Sequence, residues 1–426
     1  MRHLVGSLVA AIVAASISAQ DTIKLGFNYP KTGPYAAQGL DQLRAAEMAI
    51  EEINAAGGIL GKKAELVIRD SMSKPDVAKG NVTELIDKEG VKMVFGGSSS
   101  GVAVAAGHIC WDKKVPFFGT LTYSTATTCE EGHRTTFREC YDSWSAAKVL
   151  AEYMNKNFAG KKFLYITADY TWGHTTEESF RKYTGTENRD THKQMLTPFP
   201  GATEEQFKKA AAFAKMVDPD VLVVVEFGAD MEMAIRHATA LGLKSKMQIV
   251  VPNLTLGMAE GAGPKVMEGV IGALPWAWNI PQQFGFEGGK QFVEKFAARH
   301  NRYPCTSGAS AYTIVHEYKN AVERAKSFDT SAVVHALEGH EYTLLKDKQV
   351  WRPFDHQSLQ TVYAVRCKPE AEVRKDKFQL DFFEVIGSMT GEQSFRSLEE
   401  WQSYRAKANK APRLEALPDE AATPGK

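Results

Sequence analysis

From residue 23 onward, short apolar runs alternate with helix-period segments, and this alternation constrains the fold more than any other feature of the chain. Residues 23–28, 64–69, 91–95 and 115–118 read as strands. Residues 43–56, 76–88 and 102–113 between them read as helices. In the first helix Leu43, Ala46, Ile50 and Ile53 share one face, and Gly57-Gly58 ends it. A βαβαβαβ order of this kind requires a parallel sheet with helices on both faces. The pattern then restarts with helices at 143–158, 176–182, 204–216 and 230–241 and strands at 162–167, 221–226 and 248–252. The run at 221–226 is almost continuously β-branched, as in a strand covered on both faces. Helices at 289–300 and 310–326 and a strand at 361–366 follow. The predicted class is α/β, with two doubly wound units. The tail beyond about residue 386 is polar and carries Pro412, Pro418 and Pro424. One helix at 398–408 and then disorder are expected there.

A length of 426 residues suits two domains, and 44% hydrophobic content suits sizeable cores. Lys+Arg 51 balances Asp+Glu 51, so the charge gives no basis for a nucleic-acid partner. Met1-Arg2-His3, the apolar stretch 4–17 and Ser18-Ala19-Gln20 form a signal-peptide pattern over residues 1–20. Its apolar run is short for a membrane span. An exported, periplasmic protein starting near Gln20 or Asp21 is expected. Of the five cysteines, Cys110, Cys129 and Cys140 cluster, so a disulfide within that group is expected, with Cys305 and Cys367 elsewhere. No cysteine pair has metal-site spacing and no HExxH occurs, so neither a metal nor a cofactor is expected.

Ligands of open α/β sheets sit beyond the carboxyl ends of the strands. The loops that matter are therefore 28–38, 96–101, 119–124, 169–174, 226–230 and 252–256. Within VKMVFGGSSSG a loop of glycines and serines precedes a helix, and such a loop seats a carboxylate or other small anion. Helix capping is the competing role for these serines. The same loop also spells G-x-S-x-G, which in a hydrolase would make Ser99 a nucleophile, with Asp355 and His356 as candidate partners.

The segments IKLGFNYPKTGPYAAQGLDQLRAAEMAIEEINAAGGILGKKAELVIRD, VKMVFGGSSSGVAVA, VPFFGTLTYSTATT and TFRECYD follow one another, and ADYTWGHT, VLVVVEFGADMEMAIRHATALGL and RPFDHQ come later. Over roughly residues 23–367 this series resembles the type I extracellular solute-binding proteins of ABC importers, in the branched-chain amino acid (Leu/Ile/Val) branch. The resemblance implies two Rossmann-like lobes joined by three hinge crossings, near 137–142, 275–280 and 350–354. The lobes would be 21–140 plus 279–350 and 141–278 plus 351–385, with a polar extension at 386–426. It implies a monomer without catalytic chemistry that traps a small solute by closure and delivers it to an ABC permease. A periplasmic sensor subunit would need the same cleft.

The family's carboxylate-holding loops place Ser98, Ser99 and Ser100 in one seat and Thr120, Thr122, Tyr123 and Ser124 in the other. Relatives often have Ala-Thr near the positions of Thr122 and Tyr123, and Tyr123 departs from that. Hydroxyls and N–H groups suit a carboxylate because they donate without burying a counter-charge. Trp172 stands where relatives often have an aromatic wall. Phe227 follows the β-branched strand, and Trp276 and Trp278 lie near the second crossing. Amino-acid-binding relatives commonly carry an acid where this chain has Asn253. Either Glu226 or Asp230 substitutes for it, or the ligand lacks an α-ammonium and is an amide, a urea-like compound or an aromatic carboxylate.

Overall fold

β1 (Thr22–Tyr29) pairs in parallel along its whole length with β2 (Lys63–Asp70), and on its other side with β3 (Val94–Gly96). β4 (Phe117–Gly119) and β5 (Thr136–Arg138) complete a five-stranded parallel sheet of order β2-β1-β3-β4-β5. The connecting helices are α1 (Ala36–Ala55), α2 (Pro75–Asp87) and α3 (Ser100–Lys113). The computed structural model describes residues 22–421. The signal-peptide expectation therefore lies outside the described residues. No helix among them is long and apolar enough to cross a membrane.

The second unit runs α4 (Ser143–Phe158), β6 (Phe163–Asp169), α5 (Thr171–Thr184), β7 (Lys193–Pro198), α6 (Glu204–Val217), β8 (Val221–Val225), α7 (Ala229–Ala240) and β9 (Gln248–Val251). Short α8 (Leu256–Ala262) and α9 (Pro264–Met267) lead to β10 (Ile271–Leu274). All five residues of β8 are buried, as its β-branched run requires. After α10 (Ile280–Phe284), α11 (Glu287–His300), α12 (Thr306–Ala325) and α13 (Thr330–Leu337), the strands β11 (Glu341–Tyr342), β12 (Gln349–Trp351) and β13 (Ser358–Leu359) make a small antiparallel sheet. β14 (Val362–Cys367) and β15 (Phe383–Met389), separated by α14 (Glu370–Val373), then add antiparallel to β10. The larger sheet has the order β15-β14-β10-β9-β8-β6-β7.

Each sheet has its own core. α12 packs with α1 over the first sheet, where Phe27, Phe95, Phe118 and Trp351 are buried together. Leu222, Val223, Ile166 and Phe180 belong to the second core. The chain crosses between the units after β5, after β10 and between β13 and β14. The third crossing falls later than 350–354, because Trp351 is sealed in the first core and Gln357 bridges to Arg138 beside β5.

Lys346 ties the crossings together. Its buried Nζ donates to Pro275 O at 2.6 Å and to Thr361 O at 2.5 Å, on the second and third crossings. Glu139, on the first, is a further charge acting on it. Burial lowers the Lys346 ammonium to about 8.

Two expectations are corrected here. The five cysteines are free buried thiols, so no disulfide joins Cys110, Cys129 and Cys140. Cys110 packs with Val94 and Phe117, Cys129 Sγ faces Trp401 O, and Cys140 Sγ faces Gly119 O and Thr122 O. Burial pushes the Cys129 and Cys140 thiols up to about 12. The helix expected at 398–408 is present, at Leu398–Lys407, but the disorder expected after it is not found within the described residues. β15 completes the large sheet, and α15 (Gly391–Ser394), α16 (Leu398–Lys407) and α17 (Pro418–Ala421) follow. Trp401 and Leu417 are buried.

Candidate ligand-binding site

The carboxyl ends of β1, β3, β4, β6 and β8 converge on one small, tightly closed cavity between the units. Tyr35, Ser98, Ser100 and Tyr123 line it from the first unit, and Tyr170, Trp172 and Phe227 from the second. None of these side chains carries a formal charge.

Backbone shape builds the first wall. Gly96 has φ +122°, and a Cβ there would lie 2.3 Å from Asn28 O, so only glycine lets the loop turn this tightly beside β1. Ser98 and Ser100 then fall on the cavity. Ser98 Oγ pairs with Ser71 Oγ at 3.3 Å. Ser100 Oγ accepts from Ser124 N at 3.1 Å, which leaves its proton to donate. Ser99 is the N-cap of α3, accepting from Val102 N, and donates to Ser73 O. The first turn of α3 thus presents its positive end beside two hydroxyls. Tyr123 OH is buried and has no hydrogen-bond partner among the described residues.

The aromatic wall is a chain of contacts. Tyr35, Tyr123 and Trp172 each meet Phe227 edge-on, with centroids 5.1, 5.6 and 5.9 Å away. Tyr170 stacks on Phe199 at 4.0 Å and tilts against Trp172 at 5.8 Å. Trp172 Nε1 donates to Asn253 Oδ1 at 3.1 Å, so Asn253 positions the indole from behind.

Direct contacts latch the two units around the cavity. Tyr35 OH meets Tyr170 OH at 2.9 Å. Ala229 N donates to Pro34 O at 3.3 Å, and a Cβ on Gly228 would lie 2.4 Å from the same oxygen. Ser124 Oγ meets Thr175 Oγ1 at 3.1 Å, and Arg302 pairs with Glu260 at 2.8 Å.

Of the residues singled out in the sequence, Ser98, Ser100, Tyr123, Trp172 and Phe227 come together at the cavity, while the others take supporting positions. Ser99 is used as a cap. Thr120 Oγ1 bonds Gln42 and Gly96 O, and Thr122 Oγ1 bonds Thr127 Oγ1 at 2.7 Å. Glu226 accepts from Thr197 Oγ1. Its carboxyl is pushed well above the usual range, first by burial and then by Asp230. Burial raises Asp230 itself to about 6. Trp276 lies at the hinge among Glu139, Lys346 and Gln360, and Trp278 stacks on Tyr303 at 3.7 Å. The hydrolase residues are not assembled: Asp355 pairs with Arg352, and His356 pairs with Glu338 at 2.7 Å and stacks on Phe137. Tyr35 and Tyr170 are not among the residues the sequence singles out, although both stand in strand-end loops expected to hold a ligand, in TGPYAAQG and ADYTWGHT.

The sequence model described as "periplasmic binding protein" matches residues 22–374. Among curated relatives, the Leu/Ile/Val-binding protein homolog 7 of Brucella suis biovar 1 (strain 1330) is 28% identical over 357 residues, covering 79% of this chain and 86% of the relative. A crystal structure of a periplasmic binding protein from Burkholderia mallei superposes with TM-score 0.80 at 24% identity, over 89% of this chain and 98% of that one. An ABC-transporter solute-binding protein from Rhodopseudomonas palustris BisB5, in complex with 3,4-dihydroxy benzoic acid, gives 0.74 at 18% identity, over 87% and 98%. Because the family match spans the first sheet, the larger sheet apart from β15, and every residue around the cavity between them, the chain belongs to the periplasmic binding protein family.

Proposed function

We propose that the chain captures one small carboxylate-bearing solute with a flat apolar body, by closing its two lobes, and presents it to the membrane subunits of an ABC permease. The carrying observation is the cavity itself. Both lobes contribute to it, hydroxyl donors gather at the α3 end, aromatic rings form the rest, and no charged side chain lines it. The carboxylate would take Ser98, Ser100 and Tyr123 as donors, and the body would lie against Trp172, Phe227 and Tyr170. An α-ammonium buried there without a charged partner would cost several kcal/mol. Asn253 is neutral and engaged with Trp172, and burial and then Asp230 disfavour a charge on Glu226. These features support a ligand without an α-ammonium, an aromatic carboxylate before an amide. The Rhodopseudomonas palustris complex is in keeping with that choice.

A branched-chain amino acid is the second reading. The curated relatives' names and Asp230, whose carboxyl at about 6 ionises by neutral pH, favour it. A thermal-shift screen of the mature protein separates the two. A ligand at 100 times its Kd adds about 2.7 kcal/mol of stability. Benzoate or 3,4-dihydroxybenzoate should raise the melting temperature, and Leu, Ile and Val should leave it unchanged. The opposite pattern would overturn the aromatic reading. Solute uptake lost with the gene and restored by it would separate delivery to a permease from sensing.

A further inference from the structure

The C-terminal segment is long, buried in part, and unaccounted for by ligand capture. Phe395 lies in the core of the second lobe. At the next residue the chain passes to the first lobe: Arg396 O accepts from Arg352 Nη1 at 2.6 Å. α16 is then fastened to the loop that follows β4. Trp401 Nε1 donates to Thr128 O at 2.9 Å, and Arg405 Nη1 donates to Cys129 O at 2.6 Å. Beyond it Glu415 bonds His133 at 2.6 Å, and Glu420 pairs with Arg134 at 2.9 Å.

The outer face of the same helix rests on the second lobe. Tyr404 meets Trp144 of α4 edge-on at 5.5 Å. The Arg396 guanidinium lies 3.8 Å from the Tyr404 ring centre and 4.5 Å from that of Trp144. Directional, buried hydrogen bonds therefore hold α16 to one lobe, while ring and cation–π contacts hold it to the other. Any rotation of the lobes must disturb the second set, because the first is fixed at several points.

We infer that residues 390–421 form a strap, a fourth connection between the lobes that favours the closed arrangement before any ligand arrives. The inference rests on the lobes opening and closing, but not on which solute they take. Two cost terms follow. Opening loses the Tyr404–Arg396–Trp144 stack, and the extra crossing limits how far the lobes part.

The test uses the full mature chain without ligand. The Ala229 amide donates across the junction to Pro34 O, so its hydrogen exchange reports opening. The Val223 amide, in the middle of β8, reports the stability of the second lobe. In Tyr404→Ala the Ala229 amide should exchange about three- to tenfold faster, with Val223 unchanged. Tyr404→Phe, which keeps the ring, should exchange as wild type does. Unchanged Ala229 exchange in Tyr404→Ala would overturn the strap. Equal acceleration at Ala229 and Val223 would also overturn it, since that would mark general destabilisation.

Discussion

The Tyr35–Tyr170 contact makes a sharp prediction, because each hydroxyl is buried and each belongs to a different lobe. Tyr35→Phe keeps the ring against Phe227 and Phe199 and removes one oxygen. In the closed form Tyr170 OH is then left without its partner. In the open form water satisfies it. Losing the bond and stranding the partner together cost the closed form about 1–2 kcal/mol. If ligand is held only by the closed form, affinity falls about 5- to 30-fold. Tyr170→Phe should do the same. The double variant should recover most of the loss, because no hydroxyl is stranded when both are removed. Titration of wild type, both single variants and the double variant with the solute found by thermal shift gives the cycle, read by calorimetry or tryptophan fluorescence. If the double variant loses as much as the two single variants combined, the hydroxyl pair is not a latch and the reasoning fails.

Trp172→Ala should weaken binding by about 1–3 kcal/mol, through loss of the wall that Asn253 positions; unchanged affinity in the same titration would remove Trp172 from the site. Asp230 has a folded value of about 6, above its unfolded 3.8. The stability it contributes is therefore present below 3.8 and lost as pH rises through about 6. Asp230→Asn should accordingly gain on wild type in urea midpoint between pH 4 and pH 7, and a constant difference would contradict this. Lys346 is the opposite case, with a folded value of about 8 below its unfolded 10.5. Below about pH 8 its burial penalty is fully present, and it is relieved as pH rises towards 10.5. The stability of wild type relative to Lys346→Met should rise between pH 8 and pH 10, and a flat difference would show that the ammonium is not desolvated as its surroundings imply.

The alternation of apolar runs revealed the parallel strands because each such strand is buried on both faces and carries its signal locally. Strands of two or three residues, such as β5, β11 and β13, are too short for a period to show. The helix of the tail is legible in the sequence, but its docking is not. Trp401 and Arg405 are anchored to Thr128 and Cys129, more than 270 positions earlier, so a locally polar segment hides a long-range contact. The cysteines misled through proximity in sequence, since Cys110, Cys129 and Cys140 occupy three separate packing environments. At the cavity, aromatic and serine residues announced themselves by their place in strand-end loops. Tyr35 and Tyr170 acquire a joint role only when the lobes meet, and that is not a property of either loop alone.

The meeting of Gly228 with Pro34 is a contact of main chain with main chain. Part of the alignment of the lobes is thus set by the main chain, beside the side-chain latch of Tyr35 and Tyr170. Trp172, which meets only second-lobe rings, is the wall residue whose exchange would least disturb that register. A scaffold that divides the labour in this way can be retuned one wall at a time. It is a suitable starting point for reagentless sensors in which the motion is kept and only the recognised compound changes.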